Sequence, residues 1–124
     1  MSEHGTVLVV EDDPDLRDLM ALWLRAEGFG VRLACNGEEA LASLKREPPS
    51  AMVVDLKMPV MGGAELRRRQ RSIDEVADIP FILVSASADC ERIGRSLDVA
   101  DVFPKPFDST RLLAMLNATC EPSH

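Results

Sequence analysis

Apolar residues follow two rhythms along this chain. Three continuous runs, Val7-Leu8-Val9-Val10, Ala51-Met52-Val53-Val54 and Phe81-Ile82-Leu83-Val84, read as strands buried on both faces. Val31 to Ala34 and roughly Asp101 to Phe103 read as shorter strands, and Thr6 opens the first. Between them apolar residues recur at helical spacing: Leu16, Leu19, Met20, Trp23 and Leu24, then Ala40, Leu41 and Leu44, then Leu112, Leu113, Met115 and Leu116. Strands alternating with helices predict an α/β domain on a mainly parallel sheet.

The punctuation agrees. Asp13 is placed to cap a helix, with Pro14 at its first position and Asp15 and Asp18 near its positive end. Gly28 is a C-terminal stop. Asn36 is placed to cap the next helix, with Glu39 in a capping-box position and Pro48-Pro49 at the far end. A third helix is expected from near Ala64, after Gly62-Gly63. A short, weak helix is expected over Asp89 to Leu97, interrupted by Gly94, and Asp108 is placed to cap the last one. The expected division is a tail over 1–5, one folded domain over 6–118 and a tail over 119–124, frayed from Cys120.

Composition narrows the classes. A chain of 124 residues, 46% apolar and 28% charged, is ordinary for one soluble domain. A net charge of −7 and a pI near 4.8 argue against broad nucleic-acid binding. No apolar stretch approaches the roughly 20 residues that span a membrane. The polar N-terminus does not read as a signal peptide, so a cytoplasmic location is expected. Cys35, Cys90 and Cys120 lack zinc or Cys-x-x-Cys spacing and are expected as free thiols. Arg67-Arg68-Arg69 and Arg71 are expected on a solvated helix face; a docking patch for an acidic partner is the alternative.

The chemistry lies just past the ends of the strands. Glu11-Asp12-Asp13 follow the first run, Asp55 the third strand, Ser85 the fourth, and Lys105-Pro106 come soon after the fifth. In an open parallel sheet that edge is where sites form. Each group alone is ordinary, since acidic residues before a proline usually start a helix and a lone lysine is usually on the surface. Together they suit one reaction class. Clustered carboxylates are tolerable around Mg²⁺, which prefers oxygen ligands. Asp can act as a nucleophile toward phosphorus, with Lys105 as a compact positive charge and Ser85 as a hydroxyl donor.

The motifs "VLVVEDDP", "MVVDLKMPVMGG", "FILVSAS" and "FPKPF" resemble a response-regulator receiver domain of two-component signalling, over about Thr6 to Asn117. The resemblance implies a flavodoxin-like five-stranded parallel sheet of order 2-1-3-4-5 with helices on both faces; a receiver is itself a standard example of that order. It implies that Asp55 is the phosphoacceptor, assisted by Ser85 and Lys105. Mg²⁺ would be held by Glu11, Asp12, Asp55 and the backbone carbonyl of Lys57, with a cis Lys105-Pro106 bond. It implies a sensor histidine kinase or histidine phosphotransfer protein as donor and a downstream protein partner. It also implies a monomer or a phosphorylation-dependent dimer; charge and hydropathy set the expectation of no direct contact to nucleic acid or membrane. Such a domain catalyses only its own phosphorylation and dephosphorylation. Lys57 and Ser87 take positions that tune the phosphoryl lifetime.

Two positions depart from the family pattern. Val102 stands where Tyr or Phe is usual, so output is expected to use backbone and helix movement after Ser85 rather than an aromatic swing. Asp98 stands where Gly is common in a turn, and Asp tolerates the left-handed region better than most residues. Two other classes stay open: an interaction module that keeps the fold without phosphorylation, and a small Mg²⁺-dependent phosphohydrolase. Lys57 occupies the position where such hydrolases commonly carry a second Asp.

Overall fold

The computed structural model describes residues 5–120. Five strands and five helices alternate: β1 (Thr6–Val10), α1 (Pro14–Ala26), β2 (Gly30–Ala34), α2 (Gly37–Arg46), β3 (Ala51–Asp55), α3 (Gly63–Arg71), β4 (Phe81–Ser85), α4 (Cys90–Ser96), β5 (Asp101–Pro104) and α5 (Ser109–Thr119). The strands are parallel, in the order β2-β1-β3-β4-β5. This is the expected flavodoxin-like order, and all strand C-termini share one edge.

Alternation along each strand sorts side chains between two layers. Val7, Val9, Val53, Ile82, Val84 and Phe103 pack with Met20 and Leu24 of α1 and Leu112 and Leu116 of α5. Leu8, Val10, Met52, Val54 and Leu83 pack with Ala40 and Leu44 of α2 and Leu66 of α3. The continuous runs are therefore buried on both faces, and β2, the half-exposed edge strand, has the more mixed sequence.

The caps form as the sequence implies. The Asp13 carboxylate accepts from the N–H groups of Asp15 and Leu16, that of Asp108 from Thr110 and Arg111, and the Asn36 side chain from Glu39. Glu39 reaches back to the Cys35 N–H, one residue before its expected partner. Asp98 sits at φ 53° and the Lys105-Pro106 bond is cis.

Three expectations are corrected. Gly94 does not interrupt α4; a Cβ there would lie 2.3 Å from Val102 Cγ2, so its small size lets the helix rest on β5. Cys120 is buried against the core rather than frayed, its N–H bonded to Leu116 O; the tails at 1–4 and 121–124 lie outside the described residues. The arginine run is not uniformly solvated. Arg68 and Arg69 pair with Glu65 on the surface, whereas Arg67 is 7% exposed. The buried positions of α3 are Gly63, Leu66, Arg67 and Gln70, one face at helical spacing, and Arg67 falls on it.

Candidate functional site

β1 ends by carrying Glu11 into the core. The Glu11 N–H donates to Ala34 O at 3.0 Å and its side chain is almost fully buried. Asp13 turns the chain into α1 while its N–H donates to Glu11 Oε2 at 3.2 Å. Arg17, one helical turn on, donates from Nη1 to Glu11 O at 3.1 Å and pins the loop from outside. No sequence motif marked Arg17; its spacing of four from Asp13 is the only local signal.

β3 delivers Asp55 to the same edge at half burial. The chain then turns sharply, with the Gly63 N–H on Leu56 O at 2.8 Å and the Gly37 N–H on Met61 O at 2.7 Å. A Cβ on Gly63 would lie 2.5 Å from Asp55 O, so only glycine lets α3 start this close beneath the strand end. Lys57 lies exposed on this loop. Val60, also on it, is held at φ 68° and is 76% exposed.

Lys105 arrives from the far side of the sheet. Its N–H donates to Ser85 O at 2.8 Å, which sets the loop after β5 against the end of β4. Its Nζ then lies 2.9 Å from Glu11 Oε1 and 3.4 Å from Asp55 Oδ2. Ser85 is 2% exposed; its Oγ accepts from the Ser87 N–H at 3.0 Å and keeps its own proton to donate. The carboxylates of Glu11, Asp12 and Asp55 each offer an oxygen within 4.8 Å of the others. Glu11, Asp12, Asp55 and Lys105 thus converge, Ser85 joins through the backbone, and Lys57 stands exposed beside them.

The electrostatics are unbalanced. Three carboxylates share one ammonium, and like charges about 4 Å apart repel by about 4 kcal/mol at an effective dielectric of about 20. Burial pushes the Glu11 carboxyl above its ordinary range, and the nearby Asp55 charge adds to that; the hydrogen bonds from Lys105 and the Asp13 N–H pull the other way without cancelling it. Burial acts to lower the Lys105 pKa, but its bond to Glu11 and the charges of Asp55 and Glu11 prevail, so the net direction is upward. An excess of carboxylate oxygen, one exposed at Asp12 and one buried at Glu11, suits a hard divalent cation that keeps some of its water. These residues therefore fit Mg²⁺.

Residues 7–117 match the response regulator receiver domain family. The chain belongs to that family. Receiver domains are signalling domains of two-component systems rather than classical enzymes; phosphorylation on Asp and Mg²⁺ binding are general to them. Their partners are histidine kinases or phosphotransfer proteins. This receiver is 39% identical over 116 residues to an uncharacterised 14.6-kDa protein of Leptolyngbya boryana, covering 92% of this chain and 88% of that one. It is 36% identical over 121 residues to the transcriptional regulatory protein GltR of Pseudomonas aeruginosa, covering 95% of this chain and half of GltR's length. Among solved structures, the receiver domain of the sensor histidine kinase PA1611 of Pseudomonas aeruginosa superposes with a TM-score of 0.86 at 25% identity, covering 95% of this chain and 98% of that one. That structure has a magnesium ion coordinated in its active-site cleft.

Among the described residues, no helix is long and apolar enough to cross a membrane. At the family's usual aromatic position, Val102 is half-buried beside Gly94. Its neighbour Phe103 points into the opposite layer, 1% exposed, with the Arg111 guanidinium 5.0 Å from its ring centre.

Proposed function

We propose that this receiver is a phosphorylation switch in which Asp55 accepts a phosphoryl group from a phosphohistidine. The observation that carries the reading is Lys105 Nζ bridging Glu11 Oε1 and Asp55 Oδ2 at the sheet edge. An Asp55 carboxylate oxygen attacks phosphorus, the P–N bond to the donor imidazole breaks, and its electron pair returns to the ring nitrogen. Lys105 neutralises a phosphoryl oxygen and the Ser85 hydroxyl donates to another. Glu11, Asp12, Asp55 and the Lys57 carbonyl would hold Mg²⁺, which when bound supplies positive charge against the phosphoryl oxygens. Hydrolysis resets the switch: water attacks phosphorus, the P–O bond to Asp55 breaks, and inorganic phosphate leaves.

The donor is a sensor histidine kinase or a histidine phosphotransfer protein, and the output is contact with a downstream protein. The proposed setting is the cytoplasm, with the chain a monomer or a phosphorylation-dependent dimer.

Acetyl phosphate tests this, with and without Mg²⁺, on wild type and Asp55→Ala, read by intact mass. The expected result is one phosphoryl group, gained only with Mg²⁺ and only with Asp55. No gain in wild type, with Mg²⁺ binding shown separately, would favour the phosphorylation-independent interaction module, which Val102 at the usual aromatic position also suits.

A further inference from the structure

α4 has seven residues, too few for a helix that stands by its own hydrogen bonds. Its two ends are held by different means. At the N-terminal end Asp89 offers the first turn no side-chain hydrogen bond. Instead the Asp89 N–H donates to Ser87 Oγ at 3.3 Å and the Ser87 N–H donates to Ser85 Oγ at 3.0 Å. Two modest bonds thus link the start of the helix to the hydroxyl at the candidate site.

The C-terminal end is held by α3. Arg67 donates from Nε to Leu97 O at 3.0 Å, from Nη2 to Asp98 O at 2.5 Å and from Nη1 to Gln70 Oε1 at 2.9 Å. Its guanidinium lies 5.5 Å from the centre of the Phe81 ring. Gln70, fully buried, donates to Val76 O and Ile79 O at 2.9 Å each, so the support is itself fastened to the chain leading into β4. Arg71 adds an outer tether to the Asp98 carboxylate at 3.4 Å.

A cation on the last carbonyls of a helix satisfies acceptors that the helix cannot. It also meets the negative end of the helix dipole, and burial strengthens both effects. Between the two ends, Gly94 lets α4 rest against Val102 of β5.

We infer that Arg67 clamps the C-terminal end of α4, so that phosphorylation rearranges the N-terminal half of the helix and leaves residues 97–100 in place. The clamp stands on the Arg67 contacts alone; the response rests on the phosphorylation reading above. α4 then behaves as a lever fixed at one end, and changes at Ser85 reach the surface through residues 87–92.

Amide exchange by NMR on the whole chain tests both halves. Without a phosphodonor, Arg67→Gln is expected to speed exchange at Leu97, Asp98, Val99 and Ala100 at least about tenfold, with Val7–Val10 as in wild type. Arg67→Lys, which keeps the charge but loses the fork, replaces it if the glutamine variant does not fold. Unchanged exchange at 97–100 in the variant that folds overturns the clamp.

Wild type with acetyl phosphate and Mg²⁺ is then compared with the untreated protein, its phosphorylated fraction read by intact mass on the same sample. Altered exchange over 87–92 with less than about a twofold change over 97–100 supports the lever. Equal change at both ends overturns it. An absent mass gain removes the phosphorylation reading instead, and the variants alone judge the clamp.

Discussion

Among the described residues two charged side chains are buried, at different places and for different reasons. Glu11 lies at the edge where the strands end, Arg67 beneath the turn that joins α4 to β5. Arg67 is surrounded by fixed acceptors: two backbone carbonyls, an amide oxygen and a ring face. Those contacts hold its charge against burial and the nearby Arg71, both of which oppose it. Glu11 is surrounded by movable charges of both signs, with Lys105 on one side and the carboxylates of Asp12 and Asp55 on the other. Its surroundings conflict, and a cation would relieve the conflict. Burial of a charge is therefore weak evidence of function by itself. The partners separate the cases: rigid, satisfied dipoles mark a structural clamp, while competing ionisable groups mark a site suited to a cation.

Four experiments sharpen or break that contrast. The largest effect is expected from Arg67→Ala, which strands buried acceptors on three residues. Unfolding free energy in urea should fall by about 3 kcal/mol, while the folded fraction reacts with acetyl phosphate within about twofold of wild type. A loss below about 1 kcal/mol would place Arg67 with ordinary surface arginines.

Glu11→Gln should act in the opposite sense. Removing the charge relieves the cost of its burial and, to a lesser extent, its repulsion with Asp55, and is expected to raise stability by up to about 1 kcal/mol, while slowing Mg²⁺-dependent phosphorylation at least about tenfold. The pH dependence has a definite sign. Because the Glu11 carboxyl is raised in the folded chain, the folded state binds more protons just above the ordinary value of 4.5. Falling pH in that window relieves the wild-type penalty, so its gap to the glutamine variant should close. A gap that widens there would contradict the strained-carboxylate picture.

Val60 is a smaller probe of the same edge. A β-branched residue at φ 68° is strained, and at 76% exposure the side chain gains little from burial. Val60→Asn is expected to stabilise the fold by about 1 kcal/mol without altering reaction with acetyl phosphate; an unchanged melting temperature would argue against strain. The smallest effect belongs to Cys120, a titratable group buried among apolar side chains. Burial pushes its thiol up to about 11, so at pH 8 the reactive thiolate is scarce. Iodoacetamide should leave it unmodified in the native chain and label it in urea; rapid native labelling would show that the end of α5 opens.

Much of this architecture was legible in the residues themselves. Asp13, Asn36 and Asp108 announced helix starts, because a cap is a contract between residues two or three apart. Continuous apolar runs announced strands covered on both faces. The motifs also pointed to Asp55, Ser85 and Lys105 at strand ends, and parallel strands bring such ends to one edge.

The partnerships were decided only by the tertiary structure. Lys105 meets Glu11 across 94 positions of sequence, and Arg67 meets Leu97 and Asp98 across about 30. Those contacts depend on strand order, on register, and on how far each helix is rotated when it docks. Three successive arginines look alike in the sequence. A rotation of about 100° per residue places Arg68 and Arg69 in water beside Glu65 and turns Arg67 inward onto the end of α4. Local chemistry fixes where helices and strands begin and end, because it acts over one turn of chain. Which charges become neighbours is settled by packing, because only a closed core brings distant segments within the few ångströms over which those charges interact.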